Sequence, residues 1–584
     1  MLKTALFLIS LSILGAQAAV AGPSAPETLY LTDENFLGLR EFLVSNTQSE
    51  GLVKVSYSGA KFKSLGLSAD DPLAETGPDL WCNNRWVRTL KLNIGSDTVV
   101  IPKKNSTCQI RLGTKPIVKF INDESYSPIY KKYGASYREE CRYSGDSPMS
   151  SNRYRNMSCA QAFGDVSILS DSIESFLVKL EILLGQKIPK SFIDAQNPYA
   201  KLDFSKAPKL DAIFLSTLLY QNDFSGQVLA RILKFHAQRG TMVNIIGTGY
   251  MHSDNAKSLF KELTLQSKNI RIQEYSYFED EFFKKFLLIT NFFRNMHVKA
   301  LVTLSSENPN DNIVIVGGRN VHDGFLFQSK PDLTRFPELD QIDPDSIFAY
   351  WQDVEFLFRS PSVAKTMYAH LLKLWNRNLV KTTIEPIAAH TKSTSVTNLT
   401  NLGDNTLRHF ISLPFSDDRA LEKLYIEMLD HANSSVVISS PYLRPTKGLL
   451  EAILRAVRRG VRVDIQTRIN LAGDTQAWLY EETNKVAINE LHDKVGVYEW
   501  QGNSILHSKI LVVDESLSFV GSVNMSRRSF IQDVEGGLLI QSPAFNAQLR
   551  SLISSYRDQS RQITEKQKRN YWASIILMII EDQI

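Results

Sequence analysis

The sequence is poor in cysteine, in net charge and in long apolar runs, and each shortage narrows what the chain can be. The net charge is only +4 over 584 residues, so composition favours neither a nucleic-acid-binding nor an anionic-membrane-binding protein. The four cysteines lie within the first 159 residues, with no C-x-x-C pair and no histidine nearby, which argues against a zinc site. Apolar stretches reach only about ten residues, half of the roughly 20 that a membrane span needs.

The N-terminus has the pattern of an export signal. Lys3 precedes an apolar stretch over 5–14, and small residues suited to cleavage follow at 16–21. We therefore expect residues 1–21 to be a cleaved signal peptide, the mature protein to be periplasmic or secreted, and no transmembrane span to remain after cleavage. An even number of cysteines in an oxidising compartment predicts two disulfides, in any of three pairings among Cys82, Cys108, Cys141 and Cys159.

Beyond the cysteines the chain repeats itself. Residues 211–246 and 434–466 each contain an apolar run, a tyrosine-bearing loop, an amphipathic helix that ends in Arg-Gly, and a second apolar run. This order is typical of a βαβ unit, with Gly240 and Gly460 where a helix end favours a positive φ. Two such units imply a duplicated α/β domain. After the signal peptide, the predicted parts are an N-terminal region of unknown role (22–200), a first half (201–384), a polar linker (385–415) and a second half (416–584).

The second half contains a motif that suits phosphoryl transfer, ILHSKILVVDESLSFVGSVNMSRRS at 505–529. On a strand, alternating His and Lys side chains point to one face, and a Gly-Ser turn brings an Asn back to the same end. Imidazole can attack phosphorus or carry a proton, while ammonium and amide groups hold phosphate oxygens. No metal or other cofactor is needed, because lysine is a poor ligand and no carboxylate cluster accompanies the histidine. The candidate residues are His507, Lys509, Asp514, Ser522 and Asn524.

The first half carries a second copy, MHVKALVTLSSENPNDNIVIVGGRN at 296–320. Its candidate residues are His297, Lys299 and Asn320. Downstream of each copy lies a Gln-Asp-Val-Glu segment, ending at Glu355 in the first half and Glu535 in the second. A carboxylate there could accept the Nδ1 proton of a histidine and fix its tautomer, so we predict supporting roles for both glutamates and for Ser522.

H-x-K-x(4)-D followed by G-S-x-N, present twice, resembles the phospholipase D superfamily. The stretches at 441–446 and 524–529 look most like its bacterial cardiolipin-synthase-type branch. The first copy departs from the pattern, with Leu304 where Asp is expected and an inserted polar loop over 305–312. The resemblance implies two α/β halves with mixed sheets, packed around a pseudo-twofold axis so that both motifs face one cleft, preceded by a disulfide-bearing N-terminal region.

The resemblance also implies a phosphodiesterase or phosphatidyltransferase that acts on phospholipids at a membrane surface through a phosphohistidine. It assigns His297 as nucleophile and His507 as general acid and base, although the spacing alone fits either order. Two alternatives stay open. A secreted, metal-independent nuclease is disfavoured by the modest net charge and the lack of an evident basic groove. A non-catalytic binding protein has only Leu304 in its support.

Overall fold

The computed structural model describes most of the chain from residue 147 onward. The ranges described in full are 147–150, 157–275, 295–342, 348–375, 403–414, 419–469 and 477–570. Elsewhere only the backbone of individual strands is described, and the predicted signal peptide lies outside the described residues. The chain divides into two compact units, Met1–Asn122 and Asp123–Ile584.

The first unit contains seven described strands. They are β1 (Glu27–Tyr30), β2 (Glu41–Val44), β3 (Gly51–Ser56), β4 (Asp79–Cys82), β5 (Arg85–Thr89), β6 (Ser96–Ile101) and β7 (Cys108–Arg111). One sheet has the order β1-β3-β6, and an antiparallel sheet has the order β2-β7-β4-β5.

Cys159 is the one cysteine whose side chain is described, and it is disulfide-bonded. The side chains of Cys82, Cys108 and Cys141 lie outside the described residues. The two predicted disulfides and their pairing therefore stay a prediction.

The second unit combines many strands with ten helices among its described residues. The strands are β8 (Glu140–Tyr143), β9 (Gln161–Ala162), β10 (Val166–Leu169), β11 (Ala212–Ser216), β12 (Met242–Thr248), β13 (Ile270–Tyr275), β14 (Ala300–Leu304), β15 (Ile313–Gly317), β16 (Trp351–Gln352), β17 (Glu355–Arg359), β18 (Val396–Leu399), β19 (Thr406–Ser412), β20 (Ser435–Ser439), β21 (Arg462–Thr467), β22 (Gly496–Trp500), β23 (Ile505–Leu506), β24 (Ile510–Val513), β25 (Leu517–Gly521), β26 (Glu535–Gln541) and β27 (Ser560–Gln562). The helices are α1 (Ser172–Leu184), α2 (Ser191–Asp194), α3 (Phe224–Gln238), α4 (Asp254–Gln266), α5 (Pro361–Trp375), α6 (Ala420–Asp430), α7 (Lys447–Arg458), α8 (Ala477–Leu491), α9 (Arg527–Ile531) and α10 (Pro543–Arg557).

Two large mixed sheets repeat one topology. The first has the order β13-β12-β11-β14-β15-β17-β10, and the second contains β22-β21-β20-β24-β25-β26-β19 with β27 and β9 added at its edges. In each sheet the βαβ strands are parallel and the strands that follow are antiparallel. The prediction of two similar α/β halves with mixed sheets is confirmed.

The two βαβ units form as their sequences predict. Asp223 caps α3 by accepting from Gly226 N, and Thr446 caps α7 by accepting from Leu449 N, so each helix begins with a satisfied backbone donor. The glycine after each helix adopts a positive φ, 101° at Gly240 and 87° at Gly460. A side chain would be strained in that conformation, which explains why both units have glycine there.

The predicted domain boundaries need correction. Strand β10 joins the sheet of the first half by pairing with β17, and α1 packs into the same core through Phe176 and Leu180. The first half therefore begins before residue 200. Strand β19, which the sequence assigns partly to a linker over 385–415, pairs with β26 and with β9 inside the second sheet. All seven of its residues are buried, so β19 belongs to the second half.

Among the described residues, no helix is both long enough and apolar enough to span a membrane.

Candidate active site

Each predicted motif begins where its strand meets the other half of the second unit. The backbone N–H of His507 donates to Gln352 O over 2.8 Å, next to the parallel pairing of β23 with β16. The backbone N–H of His297 donates to Val534 O, also over 2.8 Å. Each histidine is thus anchored on the Gln-Asp-Val-Glu segment of the opposite half, and its ring lies beside carboxylates from that half.

His297 is paired with Glu535. Its Nδ1 lies 3.0 Å from each carboxylate oxygen, and Glu535 is fully buried. Burial lowers the pKa of His297 well below its usual range, and Lys299 lowers it further. The ring is therefore neutral at physiological pH. With its Nδ1 proton donated to the carboxylate, Nε2 keeps a free lone pair, as a nucleophile or base requires.

Two hydroxyl groups hold Glu535 in place. Ser522 Oγ donates to Oε2, and Ser529 Oγ donates to Oε1 over 2.5 Å. Burial raises the pKa of Glu535 to about 7, against the lowering effects of Lys299 and the two hydroxyls. The carboxylate that orients His297 therefore titrates close to neutral pH.

His507 is paired with Asp353. Its Nδ1 lies 2.5 Å from Asp353 Oδ2, and Asp353 has no exposed surface. Burial alone would raise the pKa of Asp353, but the nearby Lys509 and His507 outweigh it and hold that pKa below its usual range. Burial, together with Lys509, lowers the pKa of His507 to about 3. This ring is also neutral at rest, but its partner is a fully ionised carboxylate.

The two lysines join the motifs into one cluster. Lys299 Nζ donates to His297 O over 2.8 Å, and Lys509 Nζ donates to His507 O. Burial lowers the pKa of Lys299 to about 7 and that of Lys509 to about 8. Lys509 also lowers the pKa of His297, and Lys299 that of His507. Lys509 also lowers the pKa of Lys299, so an entering phosphate would offset the positive charge gathered here.

The two predicted asparagines lie just after β15 and β25, the strands that follow the two motif strands. Asn320 Oδ1 accepts from Leu218 N over 3.2 Å, an orientation that leaves its amide N–H groups for a ligand. Asn524 is 6% exposed, and its Oδ1 has no hydrogen-bond partner within the described ranges. The backbone N–H of Asn524 donates to Ser529 Oγ over 3.1 Å, the same hydroxyl that donates to Glu535.

Aromatic rings surround His507. Its ring centroid lies 4.9 Å from that of Trp351, 5.3 Å from Phe325 and 6.3 Å from Tyr442, all in edge-to-face arrangements. These contacts fix the ring plane and exclude water, which accounts for much of the desolvation that His507 experiences.

Glu355 does not contact a histidine, although it is the repeat equivalent of Glu535. It binds Lys179 at 2.7 Å, lies 3.7 Å from Arg319, and accepts from Ser175 Oγ. Asp353, two residues earlier in the same segment, takes its place at His507. Of the two glutamates predicted to support a histidine, Glu535 contacts one and Glu355 contacts Lys179, Arg319 and Ser175 instead.

The turn at Gly318 and Arg319 explains why Asp353, and not Glu355, contacts His507. Ser522 has its counterpart in Gly318, where an added Cβ would lie 2.3 Å from Asp353 Oδ2. The next residue in the first half is Arg319, whose guanidinium pairs with Glu355 and draws it away from the site. A Gly-Arg in place of Ser-Val is thus a sequence signal for Asp353 that the motif comparison missed.

The predicted catalytic role of Asp514 does not fit its placement. Seven extended residues at about 3.3 Å each put it roughly 20 Å along the strand from His507. Its carboxylate accepts the backbone N–H groups of Asn433, Ser434 and Ser435 at 2.8, 2.8 and 3.0 Å. It therefore fixes the loop before β20. Leu304, at the equivalent position, is fully buried in β14, so its departure from the pattern leaves the cluster untouched.

The structure brings most of the predicted residues together. Contacts and electrostatic interactions join His297, Lys299, His507, Lys509, Glu535, Ser522 and Asn524, together with Asp353 and Ser529, which sequence reasoning missed. Asn320 is instead held by the backbone N–H of Leu218. The described part of the chain gathers no group of three or more His, Cys, Asp or Glu side chains that would hold a metal ion.

Comparison with known proteins points to one superfamily. Residues 425–557 match the family described as "Cardiolipin synthase, PLD-like domain". The chain is 26% identical to cardiolipin synthase of Listeria innocua over 390 residues, which cover 65% of this chain and 71% of that protein.

Two solved structures are similar as well. Phosphatidylserine synthase of Haemophilus influenzae aligns at 15% identity over 70% of this chain and 89% of its own, with a TM-score of 0.47. The phospholipase D family member Nuc of Salmonella typhimurium aligns at 17% identity over 27% and 98%, with a TM-score of 0.23. On its two motifs and the sequence matches, the chain is similar to the cardiolipin-synthase-like branch of the phospholipase D superfamily.

Proposed function

We propose that this protein is a phospholipase D-type phosphatidyltransferase or phosphodiesterase that acts on phospholipids through a phosphohistidine intermediate. The observation that carries the proposal is the pair of neutral, carboxylate-oriented histidines, His297 with Glu535 and His507 with Asp353, within one cluster that also holds two buried lysines. Similarity to cardiolipin synthases supports a phospholipid as the substrate class.

In the first step, His297 Nε2 attacks the phosphodiester phosphorus. Its Nδ1 proton remains on the side of Glu535, so the ring can take positive charge as the N–P bond forms. In this proposal Lys299 and Lys509, with the amides of Asn320 and Asn524, would hold the non-bridging oxygens while charge redistributes.

The leaving alkoxide needs a proton, because its conjugate alcohol is a weak acid. His507 is the better donor of the two rings. Its partner Asp353 keeps a depressed pKa and therefore a full negative charge, which stabilises an imidazolium. A bound phosphodiester adds further negative charge and raises the pKa of His507 from its resting value of about 3, so the ring takes up a proton from solvent on Nε2 and gives that proton to the alkoxide.

In the second step, His507 takes a proton from water or from an acceptor alcohol. The resulting oxygen attacks phosphorus, the N–P bond to His297 breaks, and the phosphoryl group leaves as a phosphatidic acid or as a new diester. Both outcomes use the same groups, so hydrolysis and transfer differ only in which hydroxyl enters.

The geometry weakens the alternative of a non-catalytic binding protein. That alternative depends on Leu304, which lies in the core at the far end of β14 from His297. The proposal further includes an exported protein, for which the support is the signal-like pattern of residues 1–21.

In the test, purified protein is incubated with mixed phospholipid vesicles and, in parallel, with single- and double-stranded oligonucleotides. The products are identified by mass spectrometry. His297→Ala and His507→Ala are the inactive controls. Leu304→Val, which changes the same strand away from the cluster, is the matched active control.

Phosphatidic acid or cardiolipin that both histidine variants fail to make is the expected result, and its identity shows whether water or an alcohol accepts. Cut oligonucleotides with intact lipids would replace the lipid proposal with a nuclease. No product from either substrate class would return weight to a binding protein.

A further inference from the structure

A cavity lies in the second half, away from the histidines. It has a volume of about 270 Å³ and lies between the strands β20, β21 and β22 and the helix α10. This volume is just below that of pockets for drug-sized ligands, so it suits a small headgroup or a phosphate ester. Its charged lining residues are Arg462, Arg550, Arg557 and Asp464.

The lining carries excess positive charge. Arg462 and Arg557 both turn to the single carboxylate of Asp464, at 2.8 and 3.4 Å. Arg550 instead donates to Ser435 Oγ and to the backbone O of Asp514. Three guanidinium groups thus face one carboxylate, which leaves about two positive charges uncompensated within the cavity.

Polar atoms with unused hydrogen-bonding capacity accompany these charges. Gln466 is 2% exposed and lines the cavity; its Nε2 donates to Ser560 Oγ, while its Oε1 has no partner within the described ranges. A buried acceptor without a donor is unfavourable. A ligand with a hydroxyl group next to its anionic group would supply that donor.

The cavity is distinct from the catalytic cluster. Arg550 binds the carbonyl of Asp514, at the end of β24 opposite to His507. None of the residues that line the cavity belongs to the histidine, lysine and asparagine cluster. An anion bound here would not block the site, and binding at the two places can be measured separately.

We propose that this cavity binds the phosphate group of a small ester, with guanidinium groups from β21 and α10 as its donors. Arginine is suited to this because its planar fork matches two phosphate oxygens at once. Either a soluble phosphate ester or the headgroup of an anionic phospholipid has a phosphate group of this kind. A glycerol headgroup would also offer a hydroxyl that can donate a hydrogen bond to Gln466 Oε1.

The first measurement is a calorimetric titration of the full protein with inorganic phosphate. It compares wild type with the double variant Arg462→Gln plus Arg557→Gln, and with Arg458→Gln, an exposed arginine on α7 that makes the same kind of charge change outside the cavity. Phosphate binding at the catalytic cluster is common to all three, so differences report the cavity.

We expect the double variant to bind phosphate at the cavity at least roughly tenfold more weakly, and Arg458→Gln to match wild type. Arg557 also lies over the Tyr498 ring, so the double variant requires a normal melting temperature. Arg462→Gln alone, at a side chain that is 67% exposed, gives a smaller loss without disturbing packing. Unchanged phosphate binding in the double variant, or an equal loss in Arg458→Gln, overturns the proposal.

The second measurement identifies the source of the phosphate. Equimolar phosphatidylglycerol–phosphatidylcholine vesicles and pure phosphatidylcholine vesicles are sedimented with each variant. Loss of phosphatidylglycerol-dependent binding in the double variant supports the lipid headgroup as ligand. Unchanged vesicle binding together with weakened phosphate binding supports the site with a soluble ester as its ligand.

Discussion

Substitution of Asp353 by asparagine tests most directly whether Asp353, and not Glu355, orients His507. Asp353 Oδ1 accepts the backbone N–H of Val354 at 2.8 Å, while Oδ2 accepts from His507 Nδ1. In the Asp353→Asn variant the new amide oxygen would stay with Val354, so the amide NH₂ group would face His507 Nδ1. Two donors cannot face each other, and the ring would move its proton to Nε2, the wrong tautomer for a base.

The expected loss is large. Removal of the orienting carboxylate from a serine-protease triad lowers kcat about 10⁴-fold, and we expect a loss of about 10³–10⁴-fold here, or about 4–5.5 kcal/mol of transition-state stabilisation. Asp353 also raises the pKa of Lys509, which lies 3.9 Å away, so that lysine would lose part of its charge. The assay is kcat/KM on vesicles, with circular dichroism to verify folding.

Glu355→Gln is the matched control, because the repeat alone would assign Glu355 to His507. Glu355 instead forms a buried ion pair with Lys179, with side-chain exposures of 6% and 15%. Loss of one partner leaves a buried charge, so we expect about 3 kcal/mol lower stability with kcat/KM close to wild type. Full loss of activity in Glu355→Gln, with more than a tenth retained in Asp353→Asn, would refute the assigned pairing.

Other predictions concern pH and stability. Glu535 has a pKa of about 7 and, once protonated, cannot accept the Nδ1 proton of His297, so kcat/KM should fall as pH drops through about 7. Ser522→Ala removes a hydrogen-bond donor to Glu535, raises that pKa and should move the fall in kcat/KM to higher pH. An unchanged pH profile in this variant contradicts the assignment. Leu304→Asp places a carboxylate in the core and should lower the melting temperature without raising kcat/KM. Asp514→Ala should destabilise by about 1–3 kcal/mol through lost backbone partners while activity per folded molecule persists; inactive, well-folded enzyme would restore its catalytic role. Burial lowers the pKa of His409 to about 3, so between about pH 6.5 and pH 3 the unfolded chain binds a proton there that the folded chain does not. His409 should therefore lower the free energy of unfolding by up to about 1.4 kcal/mol for each pH unit of acidification in this range. Urea titrations should show a smaller pH dependence for His409→Gln than for wild type.

The repeat predicted much of the fold. Periodicity and helix-end glycines located both βαβ units, because the conformation at Gly240 and Gly460 depends on only a few neighbouring residues. Nothing in the sequence indicated that β10 and β19 belong to the two halves despite the predicted boundaries at 200 and 385–415, because both strands join their sheets by pairing with segments more than 100 residues away. No local pattern records which distant strand a short apolar segment will pair with.

The site residues divide in a similar way. The histidines and lysines could be located because alternation on a strand fixes their common face. Asp353 was missed, because the signal for it lies outside its own segment, in Gly318 and Arg319 of the turn opposite it. Asp514 was misplaced because the motif joins residues at both ends of β24, and only the strand's length shows that they lie far apart.

A covalent phosphohistidine is the central claim for this enzyme, and its most direct test is to trap that intermediate. His507→Ala enzyme, which lacks the acid and base, would be mixed with a phospholipid whose alcohol is a good leaving group, quenched, digested and analysed by mass spectrometry. We expect a phosphatidyl adduct on His297. An adduct on His507 in the His297→Ala enzyme, with none on His297 in the parallel experiment, would reverse the roles. Absence of an adduct from both variants, while wild type turns over the same lipid, would contradict covalent catalysis.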